Sequence, residues 1–239
     1  METLRSSFEK GWRAVIKPPH YHYNINSVCP REQRFEGQTV ERIDFSVPND
    51  EGKVISAIIL RPKSMPIKQA ILYLHGNGGS KIEVLNILPL LSQHGTALIS
   101  LDFIGCGNSS DGYLTYGRNE VGDAELVLRE AYKRIPVEKV VVWGRSMGAI
   151  TAIAFAEKNY QIVDKLVLDS PFKKLEEVIK RVIQKEGALL GIFQHVIFHF
   201  LKNEIEERLN FSVFDDDYLA RFKKIPYSIS VLFIASHQD

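Results

Sequence analysis

Cysteine is scarce in this chain of 239 residues: only Cys29 and Cys106 occur, and they form no C-x-x-C pair. Two thiols are too few for a disulfide scaffold, which favours a reducing compartment and gives a cytoplasmic location as the expectation. Charge of one sign is lacking too. Thirty Lys and Arg against 29 Asp and Glu leave a net charge of +1, which offers no electrostatic footprint for nucleic acid, so no nucleic-acid partner is expected. Long hydrophobic runs are also missing. The most apolar stretch, Gly187 to Leu201, is broken by Gln194, His195 and His199 and falls short of the roughly 20 residues that span a bilayer. It reads as a buried or pocket-lining helix, so no transmembrane segment is expected. The opening METLRSSFEK has neither the apolar core of a signal peptide nor a Met-Gly start. Neither G-x-x-x-x-G-K-[ST] nor G-x-G-x-x-G occurs, and His20 and His22 alone make no metal-ligand set. No cofactor and no metal are expected.

What is present is the composition of a soluble globular protein, 45% hydrophobic and 25% charged, at a length that one core can serve. Residues 1–39, with Pro18-Pro19 and the aromatic HYHYN, read as an extended packing arm without regular elements. Two strand-like runs, Val40 to Val47 and Val54 to Leu60, flank the turn residues Pro48, Asn49, Asp50 and Gly52 and predict an antiparallel hairpin. Beyond Pro66 short apolar runs alternate with helical segments, the rhythm of a largely parallel sheet covered on both faces. The runs lie at 70–74, 97–101, 139–143, 165–169 and 229–234. Helices are expected from Lys81 to His94, closed by Gly95, from Val121 to Ile135, and from within Gly148-AITAIAFAEK. Val121, Ala124, Leu128, Ala131 and Ile135 share one face of the second. At 172–226 the strand rhythm lapses. Leu175, Val178, Ile179, Val182 and Ile183 recur at helical spacing there, so a helical cap insertion over the C-terminal edge of the sheet is expected, within a domain running from residue 40 to 239.

The strongest chemical signal is VVWGRSMGA, which sets G-x-S-x-G at Gly144 to Gly148 between a strand and a helix. That context is the one a nucleophile elbow needs. Glycines at 144 and 148 let the helix pack close, and Ser146 stands at the helix N-terminus, where free N–H groups favour negative charge. Without that context the same residues would make an ordinary glycine turn carrying an incidental serine. The second signal is LHGNGGS, directly after the first parallel strand. Acyl transfer needs two N–H donors aimed at the developing oxyanion; the expected pair is Met147 and Asn77, with Gly78 the near alternative to Asn77. His75 reads as a structural histidine bonding its loop.

These residues carry a resemblance. LHGNGG, LDFIGCGNS, WGRSMGA, LDSPF and LFIASHQD are similar in order and spacing to the α/β-hydrolase superfamily, especially its esterase- and lipase-like serine hydrolases related to the serine aminopeptidase and depalmitoylating groups. The resemblance covers about residues 40 to 239. It implies an α/β fold with a doubly wound, mostly parallel sheet, and a serine hydrolase acting on a small-molecule or acyl substrate through an ester, thioester or amide bond. It also implies that Asp239, at the end of the last apolar strand, is the catalytic acid, with Asp169 as competitor. Asp102, with Gly105 and Gly107, resembles a loop in which the aspartate braces backbone.

One departure stands out. The family's histidine follows its acid, and no histidine follows Asp239 in this sequence. The expectation is therefore a chain whose last strand and helix are absent and whose turnover is impaired. His237, His195 and His199 are the candidates to substitute; otherwise His195 and His199 belong to a packed face, and His20, His22 and His94 to solvated surface. Arg145 reads as a surface ion-pair partner and Cys106 as a buried free thiol. The alternative function is a non-catalytic relative that binds a ligand or partner in the same pocket. Oligomeric state is not legible.

Overall fold

In a computed structural model that describes residues 2–35, 37–90, 94–185 and 194–235, the chain opens with helix α1 (Glu2–Ile16) rather than the expected extended arm. Phe8, Trp12, Val15 and Ile16 recur at helical spacing, and Trp12 and Ile16 are buried. Gly11 and the surrounding polar residues mask that period in the sequence. Residues 17–24 run without regular structure. They lie along the loop after residue 102: the Tyr23 N–H donates to Asn108 Oδ1, and Asn108 returns a bond to the Tyr23 carbonyl. A one-turn helix α2 (Ile25–Val28), capped by Asn24, and strand β1 (Glu32–Phe35) follow. Residues 1–39 thus hold two helices and a strand where no regular element was expected.

The expected hairpin is strands β2 (Gln38–Pro48) and β3 (Val54–Pro62), antiparallel, with Pro48 opposite Val54. The Asn49 side chain accepts from the Glu51 and Lys53 N–H groups at 3.1 and 2.9 Å and so folds the turn. The five apolar runs become β4 (Gln69–Leu74), β5 (Thr96–Leu101), β6 (Val140–Arg145), β7 (Val163–Asp169) and β8 (Ser230–Ile234). One eight-stranded sheet results, in the order β1-β2-β3-β5-β4-β6-β7-β8. β1 to β5 pair antiparallel along that order and the rest pair parallel. The central strands are mostly apolar and buried, as coverage on both faces demands. Core residues line both faces, the larger cluster including Leu72, Ile99 and Ile150, the smaller Ile58, Ile71 and Leu98.

The crossovers are a 3-10 helix (Lys81–Leu90) and helices α3 (Glu120–Tyr132) and α4 (Met147–Asn159). The first was expected as an α-helix reaching His94; it is instead a 3-10 segment with Pro89 inside, and residues 91–93 lie outside the described residues. Gly95, expected to close it, has φ +63°, and a Cβ there would meet the Pro66 carbonyl oxygen at 2.5 Å. The predicted face of α3 is buried in full, Ile135 included, although the helix itself ends at Tyr132.

Between β7 and β8 stand helices α5 (Leu175–Lys185), α6 (Gln194–Leu209) and α7 (Tyr218–Phe222). Leu175, Ile179 and Ile183 are buried, but Val182, placed on the same face by the sequence, is exposed. The apolar stretch from 187 to 201 falls partly outside the described residues; its described part opens α6. His195 and His199 are exposed there rather than packed. α1 packs on α6, where Leu201 approaches Gly11 and the Arg208 guanidinium stacks 3.7 Å from the Trp12 ring centre. No described helix is long and apolar enough to cross a membrane.

Candidate active site

The strand order reverses at β4, which has β5 on one side and β6 on the other. Ligands of open α/β sheets bind at such a switch point, beyond the C-terminal ends of the strands. Leu74, the last residue of β4, pairs with Gly144 near the end of β6. The register therefore makes the HGNGG loop and the G-x-S-x-G turn leave the sheet side by side. A Cβ on Gly76 would lie 3.4 Å from the Arg145 carbonyl oxygen and 3.7 Å from the Ser146 Cβ.

Ser146 joins β6 to α4 with φ 51° and ψ −113°, a conformation L residues rarely hold, at a cost of order 1–3 kcal/mol. Its N–H donates to the Asp169 carbonyl at 2.7 Å, and its carbonyl accepts from the Ala149 N–H at 2.9 Å. Its hydroxyl caps no N–H of α4. The two glycines have no room for a side chain: a Cβ would sit 2.0 Å from the Gly148 carbonyl oxygen at position 144, and 2.0 Å from the Leu74 carbonyl oxygen at position 148.

Met147 is fully buried and is the first residue of α4, so its N–H has no carbonyl one turn back within the helix. Asn77 is exposed, and its side-chain nitrogen donates to the Ala14 carbonyl at 2.9 Å, the Val15 carbonyl at 3.2 Å and the Tyr116 hydroxyl at 3.1 Å. Asp169 is half-buried at the end of β7. Its carboxylate accepts from the Ser170 hydroxyl at 3.1 Å and stands 4.0 Å from Arg145 Nε. Arg145 is exposed and also reaches Glu83 at 3.5 Å, the surface ion pair that was expected. Asp239 and His237 lie outside the described residues.

No described histidine is hydrogen-bonded to Ser146. His75 is fully buried, with Nε2 accepting from the Phe103 N–H at 3.0 Å and Nδ1 2.7 Å from the Gly76 carbonyl. That pattern fixes the neutral tautomer with the proton on Nδ1. Burial pushes its pKa below the usual histidine value, so it is structural, as the sequence suggested. His199 meets Asn203 at 3.3 Å, while His22, His94 and His195 are exposed. His20 departs from the solvated surface predicted for it: its ring is largely covered, with Nε2 2.8 Å from the Gly107 carbonyl and Nδ1 3.7 Å from Asp111. No local pattern marks a contact with a residue 87 positions away.

Asp102 is a brace. Fully buried, it accepts from the Lys81 ammonium at 2.5 Å, the Lys81 and Asn108 N–H groups at 2.6 and 2.8 Å, and the Tyr23 hydroxyl at 3.0 Å. Gly107, at φ +53°, passes so close that a Cβ would lie 2.3 Å from its carboxyl carbon. Cys106 is a buried free thiol whose pKa burial pushes up to about 12, which leaves it a poor nucleophile. A cavity of about 400 Å³, lined by residues that include Lys68, Pro136, Lys139 and Asp164, opens where the parallel strands begin. It is at the end of the sheet opposite Ser146.

Comparison with known proteins gives a consistent result. A family described as the alpha/beta hydrolase fold matches residues 69–227. Protein bem46 of Schizosaccharomyces pombe is 24% identical over 228 residues, covering 95% of this chain and 69% of its own length. A proline iminopeptidase of Saccharolobus solfataricus is 27% identical over 206 residues, covering 79% of this chain and 64% of its own. The chain thus spans about two thirds of the length of these relatives. Among solved structures, the esterase Pf2001 of Pyrococcus furiosus shares the fold with a TM-score of 0.60 at 18% identity, over 92% of this chain and 90% of its own.

Proposed function

The chain belongs to the α/β-hydrolase fold family, and from that premise we propose that it is a serine hydrolase cleaving a carboxylic ester, thioester or amide through an acyl-enzyme on Ser146. The observation that carries this reading is the strained serine itself. Ser146 is held at φ 51° between two glycines that admit no side chain, at the N-terminus of α4 and against Gly76. Backbone strain of that kind persists where surrounding contacts enforce it, and it clusters at reactive sites.

In this reading the Ser146 hydroxyl attacks the acyl carbon, and the oxyanion that forms is bound by the N–H groups of Met147 and Asn77. The base takes the serine proton and returns it to the leaving group. No described histidine is hydrogen-bonded to Ser146; His195 and His199 on α6, and His237 outside the described residues, are the candidates for the base. Asp239 is the proposed acid that orients it, and Asp169 is the alternative. The names of the relatives, an esterase and iminopeptidases, support ester and amide bonds as the first substrates to try.

The test is hydrolysis of p-nitrophenyl esters of increasing acyl length and of an N-terminal proline anilide, by the wild type and by Ser146→Ala. Impaired turnover by the wild type that Ser146→Ala lowers further is expected. Equal turnover by both proteins would overturn the reading. Binding of these esters without any turnover would favour the alternative of a ligand-binding relative.

A further inference from the structure

The last four carbonyls of a helix have no partner within it, and at the end of α1 each of them has found one. Arg13 accepts from the Lys17 N–H at 2.8 Å, and Ile16 from the Leu114 N–H at 2.8 Å. Ala14 and Val15 accept from the side chain of Asn77, and Val15 also accepts from the Tyr116 hydroxyl at 2.8 Å. The same hydroxyl accepts from Asn77. Two of the four partners of this helix end are therefore the loop that carries a proposed oxyanion donor and a tyrosine that grips that loop.

Tyr116 is itself fixed. It is 4% exposed and holds φ 54°. Its carbonyl accepts from the Tyr218 hydroxyl at 2.9 Å, and its ring stands edge-on to Phe172. Burial, and then the Glu120 carboxylate, hold its hydroxyl protonated well above the usual range, so it donates to Val15 at every accessible pH. The backbone beside Asn77 closes on itself, with the Gly79 N–H donating to the Gly76 carbonyl at 3.0 Å and His75 Nδ1 2.7 Å from the same carbonyl, while Asn77 and Gly78 are exposed and Gly78 has φ +67°.

We infer that the Asn77 side chain, clamped by the Ala14 and Val15 carbonyls and the Tyr116 hydroxyl, is a positioning group that aims the Asn77 backbone N–H into the oxyanion site. α1 then belongs to the catalytic scaffold. The inference rests on the serine-hydrolase reading for its chemistry. Its geometric content stands separately: without the clamp, the backbone at residue 77 moves.

Asn77→Ala keeps the backbone donor and removes the clamp, while Tyr116→Phe removes one hydroxyl and leaves the ring. Each is reacted with a fluorophosphonate over a range of concentrations. The expected result is a maximal rate of Ser146 modification lowered about 10- to 100-fold in Asn77→Ala, the order of effect of misplacing a reacting group by about 1 Å. The probe's half-saturating concentration should be unchanged, a smaller loss is expected in Tyr116→Phe, and the double variant should be no slower than Asn77→Ala alone. Tyr132→Phe, a tyrosine on the far helix α3, is the control. Wild-type rates in Asn77→Ala would overturn the inference. So would a loss confined to thermal stability. If the wild type itself is not modified at Ser146, the nucleophile reading fails, and the crystal structure of Asn77→Ala still decides the clamp: a displaced residue 77 supports it and an unmoved one refutes it.

Discussion

The backbone N–H of Ser146 donates to the backbone carbonyl of Asp169 at 2.7 Å. The last residue of β7 thereby holds the serine of the neighbouring strand in a left-handed turn that an isolated chain would leave. The serine's presentation is a property of the sheet edge as a whole, and the predictions below test the groups that maintain it.

Gly148 stands where α4 crosses the end of β4. A methyl group there would lie 2.0 Å from the Leu74 carbonyl oxygen and 2.7 Å from that of His75, and both are backbone atoms that no rotamer change can move. Gly148→Ala should therefore cost at least the 1–3 kcal/mol typical of overpacking. Urea unfolding measures this directly, and a midpoint equal to that of the wild type would contradict it.

His75 predicts a pH-dependent loss. His75→Leu leaves the buried Phe103 N–H without its acceptor, at a cost of about 1–3 kcal/mol. Because burial lowers the folded-state pKa below 6.5, the wild type gains stability from the neutral ring above that pH and loses it as pH falls through the folded value. The gap between the two proteins should be widest near neutrality and narrow on acidification. A gap that widens toward acid pH would refute the assigned tautomer.

Asp123 behaves in the opposite sense. Burial first, and then the Glu120 carboxylate, raise its pKa from 3.8 to about 7. The folded state binds this proton more tightly than the unfolded chain, so the contribution is complete below pH 3.8 and lost as pH rises to about 7. Asp123→Asn imitates the protonated form and keeps an oxygen for the Asn49 amide. It should melt above the wild type at pH 8 and level with it near pH 4. A variant less stable at pH 8 would show that the carboxylate is paired there.

Lys81 and Asp102 form a buried ion pair, 2% and 0% exposed. Lys81→Met strands the carboxylate and should destabilise by about 3–5 kcal/mol. Adding Asp102→Asn removes the stranded charge, so the double variant should regain part of that loss. Additive losses in a double-mutant cycle would mean that the pair does not act as a unit.

Much of this arrangement was legible because it follows from short-range rules. Largely apolar runs such as Ala97 to Leu101 mark strands buried on both faces, and G-x-S-x-G between a strand and a helix marks the turn where a side chain on either glycine would strike backbone. The N-terminal helix was missed because Phe8, Trp12, Val15 and Ile16 share their segment with Gly11 and several charges, and the face is completed by distant partners, Tyr113 and an α6 nearly 200 residues away in sequence. Sequence separations of 39 to 63 residues likewise hid the side-chain role of Asn77. Its loop could be read as an oxyanion loop, but its partners Ala14, Val15 and Tyr116 are set by tertiary folding. His195 and His199 were placed on a packed face because the stretch around them is apolar, whereas the packed face of α6 carries Phe198, Leu201 and Ile205.

The most direct measurement is peptide mapping by mass spectrometry after reaction of the protein with a fluorophosphonate. The account predicts one adduct, on the peptide containing Ser146, and none when Ser146→Ala is treated alike. An adduct on another residue, or an unmodified Ser146 in the folded wild type, would contradict the claim that Ser146 is the nucleophile.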